Sequence, residues 1–226
     1  MNLAAIKTSI APKLIFQFQG IVDAHGKDQN WIEMLYRPLQ MMGNENLDDF
    51  FKSLSPEQKI DLDIQIFNQL VRIKNEMRPD RLSVNLNPIS LLSSSFRCQF
   101  RKLLEKDLIH PNKICIEIIE THSMPPLTAN AIDLLKKFRN QGGWVALDDF
   151  GSGFAHWELL QMGLIDVIKV ANQNLLHSGL NSFTSGLAKF ADSMSIKTVL
   201  EGVETAEQFI NGKSQGFQNF QGWYFK

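Results

Sequence analysis

The sequence predicts an α/β barrel of the TIM type, (β/α)8, with an antiparallel first strand. Three observations carry this expectation. Eight short apolar runs are spread along 226 residues, and after the second they alternate with longer helical patterns. The first two runs are joined only by Asp23–Asn30. A crossover between parallel strands takes about a dozen residues or more, so this pair must be antiparallel. Finally, most of the runs contain or end in a polar or charged residue, and in a barrel of parallel strands the C-terminal strand ends share one face. An open doubly wound sheet is the alternative that the same alternation allows.

The strands are expected at Leu14–Val22, Trp31–Tyr36, Leu82–Leu86, Ile114–Ile118, Trp144–Leu147, Val167–Val170 and Thr198–Leu200, with a weaker one at Phe217–Phe220. His25-Gly26-Lys27-Asp28 supplies the first turn. Ser55-Pro56-Glu57-Gln58 reads as a helix start, with Ser55 as cap, Pro56 in the first turn and Gln58 closing a capping box. That helix should run to Met77. Phe100, Leu103, Leu104 and Leu108 recur at helical spacing, as do Ile132, Leu134, Leu135 and Phe138. Gln173–Ser193 and Thr205–Asn211 complete the helices. No repeat or linker divides the chain, so residues 1–226 are expected to form a single domain.

Composition excludes several functions. Hydrophobic residues make up 44% and charged residues 21%, which suits a soluble globule and argues against disorder. A net charge of -1 gives no broad attraction for a DNA or RNA polymer or an acidic membrane, so an anionic ligand would need a local site. No apolar block is long enough for a membrane span, and Lys7, Pro12 and Lys13 interrupt any leader-like stretch, so a cytoplasmic protein is expected. Cys98 and Cys115 form no CxxC pair and are expected to be buried, reduced thiols.

The polar residues are informative by position. Glu33 lies in the second strand and Asn85 near the end of the third. Glu117 and Glu120 close the fourth, Asp148 and Asp149 the fifth. Lys169 is in the sixth, Glu201 closes the seventh, and Gln221 follows the eighth. A ring of carboxylates around one mouth is unfavourable by itself. Two charges about 4 Å apart repel by about 4 kcal/mol at an effective dielectric of 20. Either most are protonated or a cation sits among them. Oxygen donors with one amide suit Mg²⁺ or Mn²⁺, and no cluster of His or Cys offers a zinc-like alternative.

Each residue taken singly has a plainer explanation. Asp148-Asp149-Phe150-Gly151 can be a turn. Glu204 and Glu207 can be an acidic first helical turn, and Glu120 a cap. Trp31, Trp144, Trp157 and Trp223 suit core or rim packing better than base stacking, although a purine could use one. The Asp-Phe-Gly string lacks the glycine loop and His-Arg-Asp segment of protein kinases. Repetition at strand ends is what favours a site.

Eight motifs, in order, resemble those of the EAL-domain family of bacterial cyclic-di-GMP phosphodiesterases. Phe18-Gln19-Gly20-Ile21-Val22 is similar to its opening FQPIV, and Glu33-Met34-Leu35-Tyr36-Arg37 to its signature ExLxR. Val84-Asn85-Leu86-Asn87-Pro88 resembles the NLSP segment and Glu117-Ile118-Ile119-Glu120 the ExTE segment. Asp148-Asp149-Phe150-Gly151-Ser152-Gly153-Phe154 resembles DDFGTGY, and Ile168-Lys169 the IKI segment. Glu201-Gly202-Val203-Glu204-Thr205 is EGVET unchanged, and Gln221-Gly222 stands for QGY.

The resemblance implies a TIM-like barrel with an antiparallel first strand. It also implies hydrolysis of cyclic di-GMP to linear pGpG with two divalent cations, Mg²⁺ or Mn²⁺. By position, Glu33, Asn85, Glu117 and Asp148 would hold one metal, and Asp148, Asp149 and Glu201 the other. Lys169 would contact the attacking water, Glu120 would pin the glycine loop, Gln221 would order water, and Glu204 would belong to the catalytic set. Arg37 would meet a phosphate, with Gln19 and Leu35 beside the nucleotide. A homodimer and a regulatory protein partner are also implied. The chain departs from the family pattern at Gly20, Met34, Ile119 and Ala155-His156, and Ala171 stands where the family has an aspartate. These departures leave two alternatives, a receptor that binds cyclic di-GMP without turnover and a protein-interaction adaptor.

Overall fold

The computed structural model describes residues 14–38, 47–119, 126–151, 157–175 and 180–225. Its elements are β1 (Ile15–Asp23), β2 (Asp28–Arg37), α1 (Leu47–Ser53), α2 (Pro56–Met77), β3 (Arg81–Leu86), α3 (Pro88–Leu92), α4 (Ser94–Glu105) and β4 (Ile114–Ile119). There follow α5 (Ala129–Asn140), β5 (Trp144–Asp148), α6 (Trp157–Gln161), β6 (Val167–Ala171), α7 (Leu180–Ser193), β7 (Lys197–Glu201), α8 (Ala206–Gln215) and β8 (Asn219–Phe220). The eight strands close into a barrel in sequence order. β1 is antiparallel to both neighbours, β2 and β8. The pairs from β2 to β8 are all parallel. The open-sheet alternative is therefore excluded, and the reversed first strand is present.

The reversal follows from local chemistry. Asp23 Oδ1 accepts from the backbone N–H of His25 (2.8 Å) and Lys27 (3.0 Å), and Gly26 takes φ +77°. Such a tight turn can only return the chain alongside itself. The capping box at Ser55 forms as expected, and α2 ends at a left-handed Arg78. Thr205 and Gln208 make a second capping box at the start of α8.

The barrel separates two apolar layers by period-two alternation. One set, including Leu82, Val84, Ile116, Ile118, Leu147, Ile168 and Leu200, packs outward against helices carrying Phe67, Phe96, Phe100 and Phe138. The other set, Ile21, Trp31, Cys115, Ala146, Val167 and Val199, fills the barrel axis and forms a plug. Residues two positions further along the parallel strands, and two positions back along antiparallel β1, point the same way into the barrel.

Several expectations need correction. α1, α3 and α6 have no clear signal in the sequence; α3 and α6 are five residues each, too short for periodicity to register. The stretch expected as one helix from Gln173 divides into a 3-10 turn at Asn172–Leu175 and α7, and residues 176–179 lie outside the described residues. The last strand is only Asn219–Phe220, because Phe217 serves instead as a buried anchor. Cys98 is exposed rather than buried, since it sits on the solvent side of α4, whereas Cys115 is buried in the plug. Among the described residues, no helix is long and apolar enough to cross a membrane.

α2 carries one buried acid, Asp63. Its Oδ2 accepts from Ser90 Oγ (2.6 Å) and from the Asn87 N–H (3.0 Å), tying α2 to the start of α3. Burial pushes this carboxyl up to about 7 from an ordinary 3.8, against the pull of those two hydrogen bonds. The fold therefore favours the neutral acid. Its stabilising contribution is full below the unfolded value and is lost as pH rises through about 7. Asp63→Asn keeps an acceptor oxygen but cannot ionise. The variant should gain stability relative to the parent between about pH 5 and about pH 8, read from urea unfolding midpoints. Parallel pH trends for the two proteins would refute this assignment.

Candidate active site

One step beyond the plug, each strand places a polar side chain on the barrel axis. The register sets Gln19 opposite Glu33, Asn85 opposite Glu117, and Ala171 opposite Glu201. Lys169 lies at the centre with 0% exposure. Its Nζ is 2.6 Å from Glu201 Oε1, 2.7 Å from Glu117 Oε2, 3.1 Å from Glu33 Oε2 and 3.6 Å from Asp148 Oδ1. Four carboxylates from four strands thus share one ammonium. Glu33 also accepts from Asn85 Nδ2 (3.0 Å) and from Gln221 Nε2 (2.5 Å). Gln221 Nε2 reaches Gln19 Oε1 as well, at 3.2 Å.

The loops at the strand ends are held in unusual backbone conformations. After Asp148, Asp149 takes φ +55° and Gly151 φ +91°; after Glu201, Gly202 takes φ +65°. Asp is among the few side-chain-bearing residues that tolerate this region. The Phe150 N–H donates to the Lys169 carbonyl (2.9 Å), locking the β5 loop onto β6. Gln221 is aimed by a close backbone approach. Val203 N donates to Gln221 O (3.0 Å), and a Cβ on Gly222 would lie 2.0 Å from Val203 O. A glycine is therefore required beside Gln221.

Electrostatics explain which groups keep protons. Burial alone would push Lys169 down, but Glu117, Glu201, Glu33 and Asp148 outweigh it and hold the ammonium well above its ordinary range. Burial would raise Glu33, but Lys169 and the donors Gln221 and Asn85 bring it below the usual value. Glu117 is raised well up by burial and by the Glu33 charge, and Glu201 by burial and by Asp148. Asp148 is raised too, chiefly by burial. One positive charge does not balance four negative ones, so the cluster favours either protons or further cations.

The donor set tests which. Among the described residues, three buried oxygens of the site, Asn85 Oδ1, Glu117 Oε1 and Gln221 Oε1, have no hydrogen-bond partner. Orphaned buried acceptors are costly, about 1–3 kcal/mol each. They are hard oxygen donors of the kind that Mg²⁺ and Mn²⁺ take. The donor chemistry of the site therefore fits divalent ions, although the carboxylates point at Lys169, and among the described residues no group of three or more His, Cys, Asp or Glu side chains is arranged to hold a metal ion.

The cluster opens into a cavity of about 460 Å³. Leu35, Asp149 and Glu204 line it together with Gln19, Glu33, Asn85, Asp148, Glu201 and Gln221. Arg37 lines an adjoining cleft instead, with its Nε donating to Gln17 Oε1 at 3.0 Å. Asp148, Asp149, Asn85 and Leu35 border both spaces. Glu120 lies outside the described residues, as do Ser152 to His156 of the glycine loop. Sequence reasoning missed Asn172, Gln208 and Trp223, which also line the cavity. Gln208 had a signal in its capping box, because its Oε1 accepts from the Thr205 N–H (3.1 Å) and the Glu204 N–H (2.6 Å) and so holds the Glu204 loop.

Comparison with known proteins places this geometry in context. The model of the EAL domain matches residues 4–226. The "Probable cyclic di-GMP phosphodiesterase PdeB" of Escherichia coli K12 is 26% identical over 144 residues, covering 64% of this chain and 28% of that protein. The "Probable cyclic di-GMP phosphodiesterase PdeN" of the same organism is 26% identical over 218 residues, covering 92% of this chain and 42% of its own. The chain thus spans less than half of these curated relatives. Among solved structures, a manganese and cyclic-di-GMP complex of Klebsiella pneumoniae BlrP1 superposes with a TM-score of 0.77 at 24% identity, over 95% of this chain and 56% of that one. At that identity the likeness concerns the fold.

The central ammonium generates a prediction. Lys169→Met leaves four buried carboxylates without their counter-charge. Removing one partner of a buried ion pair costs about 3–5 kcal/mol. The variant's melting temperature should fall in metal-free buffer, and fall further on going from about pH 5 to about pH 8, where protons no longer relieve the cluster. An unchanged melting temperature at both pH values would contradict the central role of Lys169.

Proposed function

The chain belongs to the EAL domain family, and from that membership we propose that it hydrolyses cyclic di-GMP to linear pGpG using two divalent cations, Mg²⁺ or Mn²⁺. The observation that carries this reading is the convergence of Glu33, Asn85, Glu117, Asp148 and Glu201 beneath one cavity, with buried oxygens left unpartnered. The names of PdeB and PdeN support it.

Glu33, Asn85, Glu117 and Asp148 would hold one ion, and Asp148, Asp149 and Glu201 the other. Bound there, the ions would supply charge neutralisation at the phosphodiester and acidify water. The protein's own part follows from its charges. Lys169, held protonated by the carboxylates, donates hydrogen bonds and orients water rather than taking its proton. Gln221, fixed between Glu33 and Gln19, presents its open Oε1 as an acceptor for that water. Arg37 suits a phosphate through its planar donor fork, from the cleft that adjoins the cavity. Leu35 bridges the two spaces as an apolar wall for the nucleotide. Glu204 sits on the cavity rim in a loop braced by Gln208. We take residues 1–226 to act as one domain.

A second reading rests on Ala171. It is buried, lines the cavity, and pairs in register with Glu201, where the family has a carboxylate. Without that carboxylate the site could bind nucleotide and turn it over slowly, acting as a receptor.

Chromatography of cyclic di-GMP incubated with the protein and Mg²⁺ or Mn²⁺ should show pGpG, and Glu33→Ala should reduce product to background. Calorimetric binding without product would overturn the enzyme in favour of the receptor. Ala171→Asp should raise turnover severalfold by restoring a donor beside Glu201. Unchanged kinetics would show that the missing carboxylate does not limit the rate.

A further inference from the structure

The barrel has a second mouth, at the N-terminal ends of its parallel strands. The apolar plug of Ile21, Trp31, Cys115, Ala146, Val167 and Val199 separates it from the ionic layer. A cavity of about 220 Å³ opens there, lined by residues that include Trp31, Arg81, Trp144, Lys197, Asp80 and Asn219. Arg81, Trp144, Lys197 and Asn219 are the first residues of β3, β5, β7 and β8.

Two cations share one indole in this cavity. The guanidinium carbon of Arg81 lies 3.5 Å from the Trp144 ring centroid, and Lys197 Nζ lies 5.3 Å from it. Trp31 meets Trp144 edge-on, with centroids 5.3 Å apart, and is fixed by its indole N–H donating to Ser83 Oγ at 2.8 Å. Neither cation has a carboxylate partner among the described residues. Arg81 spends only Nη1 on the protein, donating to the carbonyls of Ile114 (3.1 Å) and Gly142 (3.4 Å), and its Nε and Nη2 donors find no acceptor there. The nearby acids are engaged elsewhere. Asp80 accepts from Lys113 Nζ (2.9 Å) and Asn30 Nδ2 (3.2 Å), and Asp166 is paired with Arg139 (2.6 Å).

Here a partly buried guanidinium with three open donors, held flat on a tryptophan, stands next to an unpaired ammonium. We propose that this N-terminal mouth is a second ligand site, built for a small molecule that presents one oxyanion, such as a phosphate or carboxylate group. The planar fork of Arg81 matches two oxygens of such a group, and Lys197 adds the second charge. Stacking on Trp144 fixes the fork in advance and lowers the ordering cost of binding. The cavity is below the 300–1,000 Å³ typical of drug-sized ligands, which restricts the occupant to something small. This site is independent of the catalytic reading, because the plug lies between the two mouths.

The test is nitrogen-edited NMR of the indole N–H signals, assigned by single Trp→Phe variants, in buffer free of divalent ions. Inorganic phosphate or acetate is titrated against chloride at constant ionic strength. The expected result is a saturable shift of the Trp144 and Trp31 signals with one or both oxyanions and none with chloride. The signal of Trp223, which lines the opposite cavity, should stay still. Lys197→Gln, at an exposed position, should weaken the affinity about tenfold, the loss of about one charge-assisted contact. Arg81→Gln should abolish the shifts. The proposal is overturned if chloride reproduces the shifts, if no signal at this mouth saturates, or if Lys197→Gln leaves the affinity unchanged.

Discussion

The structure depends on one buried charge. Lys169 lies at the barrel axis with no exposure and faces Glu33, Glu117, Asp148 and Glu201 at once. A carboxylate set of this density needs compensation close at hand, because repulsion in a partly desolvated interior is poorly screened. The ammonium supplies part of it. The shortfall of positive charge appears as raised proton affinity on Glu117, Glu201 and Asp148. Divalent ions would offset the same shortfall. One side chain thus offsets charge contributed by four separate strands.

This arrangement requires a closed barrel with an apolar floor. The plug of Ile21, Trp31, Cys115, Ala146, Val167 and Val199 isolates the ionic layer from water on one side. Helices packed on Phe67, Phe96, Phe100 and Phe138 shield the strands from outside. The ionic layer is therefore reached from the C-terminal mouth. The strand-end loops turn through the left-handed region, at Asp149 and at Gly202, where glycine meets no steric cost. Stability therefore comes from the barrel wall and floor, and function is concentrated on the rim, in line with the general division of labour in such barrels.

The two mouths differ chemically. The C-terminal mouth gathers acids around one base, while the N-terminal mouth sets Arg81 and Lys197 over Trp144. A net charge of -1 for the whole chain hides this polarity, which exists only along the barrel axis. Bulk composition gave no reason to expect binding to a polymer or a charged surface. It had no power to locate small sites of opposite sign at either end.

Much of this was legible in the residues. The eight strands, the hairpin from Asp23 to Asn30 and the capping box at Ser55 depend on local periodicity and turn chemistry, and they are encoded over a few residues. The positions of Glu33, Asn85, Glu117, Asp148, Lys169, Glu201 and Gln221 near strand ends also followed from spacing. What only the tertiary structure decided is how those groups share charge. The convergence of four acids on Lys169, the adjoining cleft that takes Arg37, the support of the Glu204 loop by Gln208 and the pairing of Arg81 with Lys197 over Trp144 all join residues distant in sequence. Exposure was equally hidden, as Cys98 shows. Periodicity states which face of a strand a side chain takes, but distances across a barrel depend on closure, and closure is a property of all eight strands together.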